Sequence, residues 1–317
     1  PLTLLKIQPD HEIAVIEIGT NHPGEIALLT QLVNPTVGVI TNIGKGHIGY
    51  FGSLEAIYLE KTALFDNMES GSVIFKNMED SFLRNYYRNS LTTVRVGKSK
   101  SYDYWGNITS MDRLGCVRFS INSGEQPTGA GEIQLRIPGT HHFNNALMAT
   151  AIGLHFDLPI NEIKETLENS QPASQRMQVY EENGVLIIND AYNANPDSTC
   201  AAIDYLVNLH AAKGRKLIAL GDMLEMGDFG EQEHFTVGRY INGKPIDFVF
   251  LFGPLSAMIK EGILQTNSFK GNVYWYESHE EIAVHLEKIL APNDVLLVKG
   301  SRGMKMERVL NRLFGKN

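Results

Sequence analysis

The sequence predicts an α/β protein of two domains. A parallel sheet with a small antiparallel part is expected over residues 1–171, and a doubly wound, Rossmann-like sheet over residues 172–317. Three observations predict this. Short β-branched runs alternate with helical periodicity along most of the chain, the pattern of strands joined by crossover helices. The alternation breaks over residues 103–137, a Gly-, Ser- and Thr-rich stretch whose short alternating runs read as antiparallel hairpins. A polar stretch, "ENSQPASQ" (Glu168–Gln175), separates two such alternating halves and reads as a linker.

In the first half, "EIAVIEIG" (Glu12–Gly19) reads as a buried strand, "GEIALLTQLV" as a helix and "VGVITNIG" as the next strand. Ser53 is a good N-cap, and "LEAIYLEKTALF" behind it reads as a helix with Leu54, Ile57, Leu64 and Phe65 on one apolar stripe. "SVIFK" and "TTVRVG" are further strands, and "HHFNNALMATAIGLHFDL" and "INEIKETLENS" are helices that close the unit. In the second half the strands are "GVLIIND", "RKLIALGD", "DFVFLFG", "VYWYE" and "DVLLVKG", with helices of ten or more residues between them. Such a sheet is expected to bind ligands at the carboxyl ends of its strands.

Composition narrows the function. The chain has 317 residues, 43% hydrophobic and 20% charged, enough material for two cores. Its net charge of −8, with no lysine- or arginine-rich run, argues against a nucleic-acid partner. Cys116 and Cys200 lie far apart, outside any metal-type spacing, which fits a reducing cytosol without a disulfide framework. No apolar run is long enough to span a bilayer and no signal peptide is visible, so no membrane partner is expected. The chain starts at Pro1 and runs almost at once into an expected strand, so it reads as a piece of a longer protein.

Polar residues recur where strands end. Glu17 closes the first, Thr41 and Asn42 the second, with His47 soon after. Asp190, Tyr192, Asn193 and Asn195 follow "VLII"; Gly221 and Asp222 follow "LIAL"; Lys299, Ser301 and Arg302 follow "VLLV". Each alone reads more readily as a turn residue or helix cap than as a functional one. Their recurrence on several strand ends argues for one crevice. Glu17 suits Mg²⁺, which prefers oxygen ligands; a histidine such as His47 is an unusual addition. Lys61 lies on the apolar stripe of its helix, between Ile57 and Leu64. It can snorkel, pair with a buried carboxylate, or, as a neutral amine, add CO₂ to form a carbamate. On the residues alone, snorkelling is the reading.

The motifs "EIGTNHPGEIALL", "TNIGKGHIGYFGSLEAIYLEK", "GTHHFNNALMA", "NDAYNANPDS", "GDMLEMG" and "VKGSRGMKMERVL" occur in the order found in Mur ligases, and the chain resembles that family from about Pro1 to its C-terminus. "YNANP" and "KGSRGMKME" are the most specific parts. They are most similar to the cytoplasmic ligases that add D-alanyl-D-alanine to UDP-N-acetylmuramoyl-tripeptide in peptidoglycan synthesis, and they set the chain apart from folylpolyglutamate synthases. The resemblance implies a central ATP-binding domain and a C-terminal ligase domain, ATP and two Mg²⁺ ions as cofactors, and a monomer. ATP would phosphorylate the tripeptide carboxylate, and the dipeptide amine would attack the acyl phosphate. Lys61 falls where the family carries a carbamylated lysine that helps hold the second Mg²⁺. Glu17 and His47 match its other metal-site residues. Asn145 matches the adenine contact, Asp190 the aspartate near the ribose, and Arg176 an arginine that reaches the phosphates. Asn42, Asn193, Asn195, Lys299, Ser301 and Arg302 lie in motifs near the reacting groups, with Asn195 and Lys299 expected at the chemistry.

Two departures stand out. His142 occupies a position where many relatives have asparagine. The family's "GxxGKT" phosphate loop is absent, and with it the backbone amides and lysine that cradle phosphates. The intact parent is therefore expected to be an enzyme and this chain alone to be inactive. Another reading is a loop-less Mur-like binding or regulatory module; a third is a different ATP-dependent ligase of the superfamily.

Overall fold

The computed structural model describes residues 2–124 and 126–315. Gly24, in the left-handed region at φ 89°, turns the chain into α1 (Glu25–Val33), and β1 (Val37–Ile40) follows. After α2 (Ile48–Phe51), Ser53 Oγ accepts the Ala56 amide at 3.1 Å and starts α3 (Leu54–Asp66). On the predicted stripe of α3, Ile57 and Phe65 are buried, each worth about 1.5–3 kcal/mol. Next come β2 (Val73–Asn77), α4 (Ser81–Asn85) and β3 (Thr92–Gly97), then β4 (Tyr104–Met111), β5 (Cys116–Ser123), β6 (Gln126–Pro138), α5 (His141–His155) and α6 (Ile160–Asn169).

Strands β1 to β6 form one sheet in sequence order, and β1–β2, β2–β3 and β3–β4 pair in parallel. Between β4 and β5 the chain reverses in a tight turn. Asp112 Oδ1 accepts the amides of Leu114 and Cys116, and Gly115 takes φ 75°. Phe119 and Phe143 meet edge to face at 5.4 Å beneath this sheet.

One expected element is absent. Residues 12–19 form no strand: Ile13 is 49% and Val15 93% exposed. The described sheet ends at β1, and this segment does not pair with that open edge. β-Branched residues favour a pleated, half-buried surface, and a segment that pairs with no strand gives them none.

The second sheet contains β7 (Gln178–Glu182), β8 (Val185–Asp190), β9 (Lys216–Gly221), β10 (Phe248–Phe252), β11 (Asn272–Tyr276) and β12 (Val295–Lys299). The helices are α7 (Pro196–Asn208), α8 (Gly230–Asn242), α9 (Ser256–Leu264), α10 (His279–Ile289) and α11 (Glu307–Phe314). Helix α9 has nine residues, one short of the expected minimum. The spatial order is β11-β10-β9-β12-β8-β7, parallel except for β7, which runs antiparallel to β8. This is the doubly wound sheet the sequence predicts, with β12 returning between β8 and β9. The extra edge strand β7 was not expected. Its signal was present: Asn183 and Gly184, at φ 51° and 76°, form the Asn-Gly turn that favours a two-residue hairpin. Ile187, Leu217, Phe250, Leu296, Val298 and Leu286 are fully buried in the core of this sheet. Helices α8 and α9 cross at glycines. A Cβ on Gly238 would lie 2.2 Å from the Ile259 carbonyl oxygen, and one on Gly262 2.2 Å from that of Phe235.

The chain divides into two compact units. One holds residues up to 107 with 119–133 and 143–165; the other holds 108–118, 134–142 and the chain from 166 onward. No helix among the described residues is long and apolar enough to cross a membrane.

Candidate active site

In the first unit, three side chains from three elements pin the loop after β1. Asn77 at the end of β2 donates to the Thr41 carbonyl at 2.7 Å. Asp80 accepts the Ile43 amide at 2.8 Å with one oxygen and caps α4 with the other. Lys61 Nζ donates to the Asn42 carbonyl at 2.9 Å. Its amine therefore turns to backbone rather than open water. Burial pulls the Lys61 ammonium below the usual lysine range, and the Asp80 charge pushes back. Glu60, one residue earlier and buried, accepts from Gly24 N at 2.7 Å, Ile26 N at 2.9 Å and Thr20 Oγ1 at 3.1 Å. It thereby satisfies amides at the start of α1 that a helix leaves open.

His47 precedes α2 in the left-handed region at φ 61°, and it lines an open cleft with Thr20, Asn21, Glu25 and Leu28. Glu17 is exposed on the irregular segment and takes part in none of these bonds. Asn145 is exposed on α5. Among the described residues no three His, Cys, Asp or Glu side chains are grouped to hold a metal.

In the second unit the register of β8 and β12 puts Asp190 beside Lys299 at the carboxyl ends of both strands. Lys299 is 2% exposed; its Nζ donates to Asp190 Oδ2 at 2.6 Å and to the Asn193 carbonyl at 2.9 Å. Burial pulls the Lys299 ammonium down, Asp190 holds it up, and the Arg176 charge adds repulsion. Buried Ser301 donates to the Ala194 carbonyl at 3.1 Å and accepts the Leu224 amide at 2.8 Å. Asn195 is a helix cap: it accepts the Ser198 amide at 2.8 Å, and Ser198 Oγ returns the bond in a capping box. The exposed Asn193 side chain accepts the Ala194 amide at 2.9 Å.

Arg176 sits in a turn built under strain. Its neighbours Gln175 and Met177 both take left-handed backbone, φ 59° and 49°, at a cost of about 1–3 kcal/mol each. Surrounding bonds hold the turn. Tyr192 N donates to Gln175 O and Met177 N to Asp190 Oδ1, both at 3.0 Å, and Arg302 donates to Gln175 Oε1 at 2.8 Å. Arg176 lies over the Tyr192 ring, 4.0 Å from its centroid. Arg176, Lys299 and Arg302 thus bring three cations to a strand-end crevice; Asp190 pairs with Lys299 at 2.6 Å and Glu307 with Arg302 at 3.0 Å, which leaves Arg176 on the Tyr192 ring as the cation suited to an incoming anion.

The sequence reading had no place for Asn77, Asp80 or Glu60. Asp80 had a signal, as the Asp before "SFLRN" reads as an N-cap. Asn77 and Glu60 had none, because their partners, mostly backbone groups, lie far away in the sequence.

The His141 and His142 rings lie 4.2 Å apart, and burial, with the His141 charge, pushes the His142 imidazolium down to about 4. A histidine free in the unfolded chain titrates near ~6.5, so the unfolded state binds more protons between the two values. The contribution of neutral His142 is complete above ~6.5 and lost as pH falls through about 4. His142→Asn is expected to reduce the loss of melting temperature between pH 7 and pH 4.5. Parallel melting profiles for both proteins would contradict this.

Residues 1–153 match the Mur ligase middle domain and residues 175–302 the Mur ligase glutamate ligase domain. The UDP-N-acetylmuramoyl-tripeptide–D-alanyl-D-alanine ligase of Bacillus subtilis is 34% identical over 99% of this chain and 67% of its own length. Its counterpart in Haemophilus influenzae is 34% identical over 100% of this chain and 67% of its own. The crystal structure of MurF from Acinetobacter baumannii superposes with a TM-score of 0.87 at 27% identity, covering 99% of this chain and 67% of that one. Two family domains in order, matched along nearly the whole chain by relatives and by fold, place this protein in the Mur ligase family.

Proposed function

We propose that the protein is an ATP-dependent amide ligase joining D-alanyl-D-alanine to UDP-N-acetylmuramoyl-tripeptide, a step of peptidoglycan precursor synthesis. The observation that carries this is the 34% identity to a ligase of that name across 99% of the chain. The chain spans about two thirds of the length of such relatives, 67% for the Bacillus subtilis enzyme, so the reaction is assigned to the whole protein. The enzyme works in the cytoplasm as a monomer, with a central ATP-binding domain over 1–171 and a ligase domain over 172–317.

The γ-phosphoryl group passes from ATP to a carboxylate oxygen of the tripeptide, leaving ADP. The dipeptide amine then attacks the carbonyl carbon of the acyl phosphate. The tetrahedral adduct loses the amine proton and expels phosphate as the amide forms. Positioning and charge neutralisation dominate such transfers. Asn145 contacts adenine, Asp190 the ribose, and Arg176 the phosphates. Lys299 holds Asp190 in place through their 2.6 Å bond; Asn193, Ser301 and Arg302 serve the substrate from the second unit and Asn42 from the first. Asn195 acts through α7, whose first turn it caps.

Mg²⁺ suits the oxygen donors that Glu17 and a Lys61 carbamate would supply, and His47 would complete the set that the resemblance implies. A carbamate forms from the neutral Lys61 amine, whose lone pair attacks CO₂ as a proton leaves; burial, which lowers the ammonium, favours that form, and the bond to the Asn42 carbonyl uses an N–H and leaves the lone pair free. When bound, the ions neutralise charge on the transferring phosphoryl group.

The test is the protein from its complete reading frame, given ATP, Mg²⁺, the UDP-linked tripeptide and D-alanyl-D-alanine. Equal amounts of phosphate and amide product, formed only with both substrates present, are expected. Turnover with an unrelated acceptor instead would assign a different ligase activity.

A further inference from the structure

We infer that Tyr192 is a positioning residue for Arg176, its ring holding the guanidinium ready for a polyphosphate at the strand-end crevice. The inference rests on the reading of Arg176 as a phosphate contact and adds how that contact is prepared. Arg176 is exposed, so by itself it would sample many rotamers and lose that freedom on binding. Two features limit the loss. The backbone around it is locked by the left-handed pair Gln175 and Met177, tied to Tyr192, Asp190 and Arg302. The side chain itself rests on the Tyr192 ring at 4.0 Å.

Tyr192 is suited to this because it is anchored at both ends of its backbone environment. Its own amide bonds Gln175 O, and it follows directly on Ala191, which is fully buried after β8. Tyr192 is 42% exposed, so it is available as a platform and is not needed to fill a core. A guanidinium on an aromatic face keeps its N–H edge free for a bidentate anion. An ammonium of the same charge would lack that planar fit. Arg176 also adds repulsion at Lys299, so the ring holds a cation where other cations disfavour it until an anion arrives.

The test uses the 317-residue chain, its Tyr192→Leu and Tyr192→Phe variants, and two separate probes, inorganic tripolyphosphate and adenosine. The readouts are the Arg176 Nε–Hε resonance, assigned by Arg176→Lys, and calorimetric affinity. In the unaltered chain the ring current should displace that resonance from the other arginines, and tripolyphosphate should shift it. Tyr192→Leu should return it to the common position and weaken tripolyphosphate about threefold, the size expected of an exposed cation–π contact. Tyr192→Phe should preserve both, and adenosine affinity should be the same in all three proteins. Tyr192→Leu leaving the resonance unmoved, or Tyr192→Phe behaving like it, would overturn the positioning role. Loss of adenosine affinity in Tyr192→Leu would make the ring a base platform instead. If tripolyphosphate leaves Arg176 unshifted in the unaltered chain while Tyr192→Leu still moves it, the phosphate reading fails and the ring–guanidinium coupling stands.

Discussion

Lys61→Ala, made in the protein from the complete reading frame, is expected to lower ligase turnover by at least about 100-fold, the scale of a lost ligand at a metal-assisted phosphoryl transfer. The substitution also removes the bond to the Asn42 carbonyl, worth on the order of 0.5–1.5 kcal/mol of local stability. The two losses separate experimentally. Acetate or formate can occupy the space of a carbamate but cannot donate to a carbonyl. Partial recovery of turnover with these anions, with an unchanged melting temperature, is the expected pattern. Near-normal turnover of the alanine variant at saturating Mg²⁺ would leave Lys61 with the structural role alone.

Asp190→Ala is expected to cost about 3–5 kcal/mol of stability, because it leaves the Lys299 ammonium buried without its counter-charge. Lys299 is 2% exposed and cannot reach water without disturbing β12. The Asn193 carbonyl at 2.9 Å remains as its only other bond partner in this group. The same substitution removes the acceptor for Met177 N, so the Arg176 turn should loosen as well. Urea unfolding of the chain followed by tryptophan fluorescence measures the cost. The double variant Asp190→Leu with Lys299→Met should recover much of it, since no charge is then stranded. A single variant as stable as the parent would show that the pair is solvated and contributes little.

The sequence made some of these features readable and hid others, for physical reasons. The second sheet was legible because its strands are buried on both faces and appear as continuous runs such as "VLLV", while their ends carry polar residues. Asp190 and Lys299 could be named as strand-end residues from those runs, but not as register partners, since pairing across β8 and β12 is set by topology. Lys61 was conspicuous because it broke a stripe. Its partner, the Asn42 carbonyl, was invisible, as every residue has one. Asn195 drew attention as a motif residue, and its direct structural role is the cap that the plainer reading offered. The strand expected at residues 12–19 shows the limit of local pattern: its side chains suit a sheet, but a strand exists only where a neighbour completes its ladder.

That same segment has a consequence for handling the protein. Ile13 and Val15 stand in solvent, and β1 presents an open row of peptide donors and acceptors at the end of its sheet. Edges of this kind template pairing between chains, and a nearby stretch of β-branched residues in the same sequence supplies the complementary strand. The chain in isolation should therefore be colloidally fragile, forming intermolecular ribbons as concentration rises. Gatekeeper charges at positions 13 and 15 should delay that onset without touching the crevice at Asp190 and Lys299.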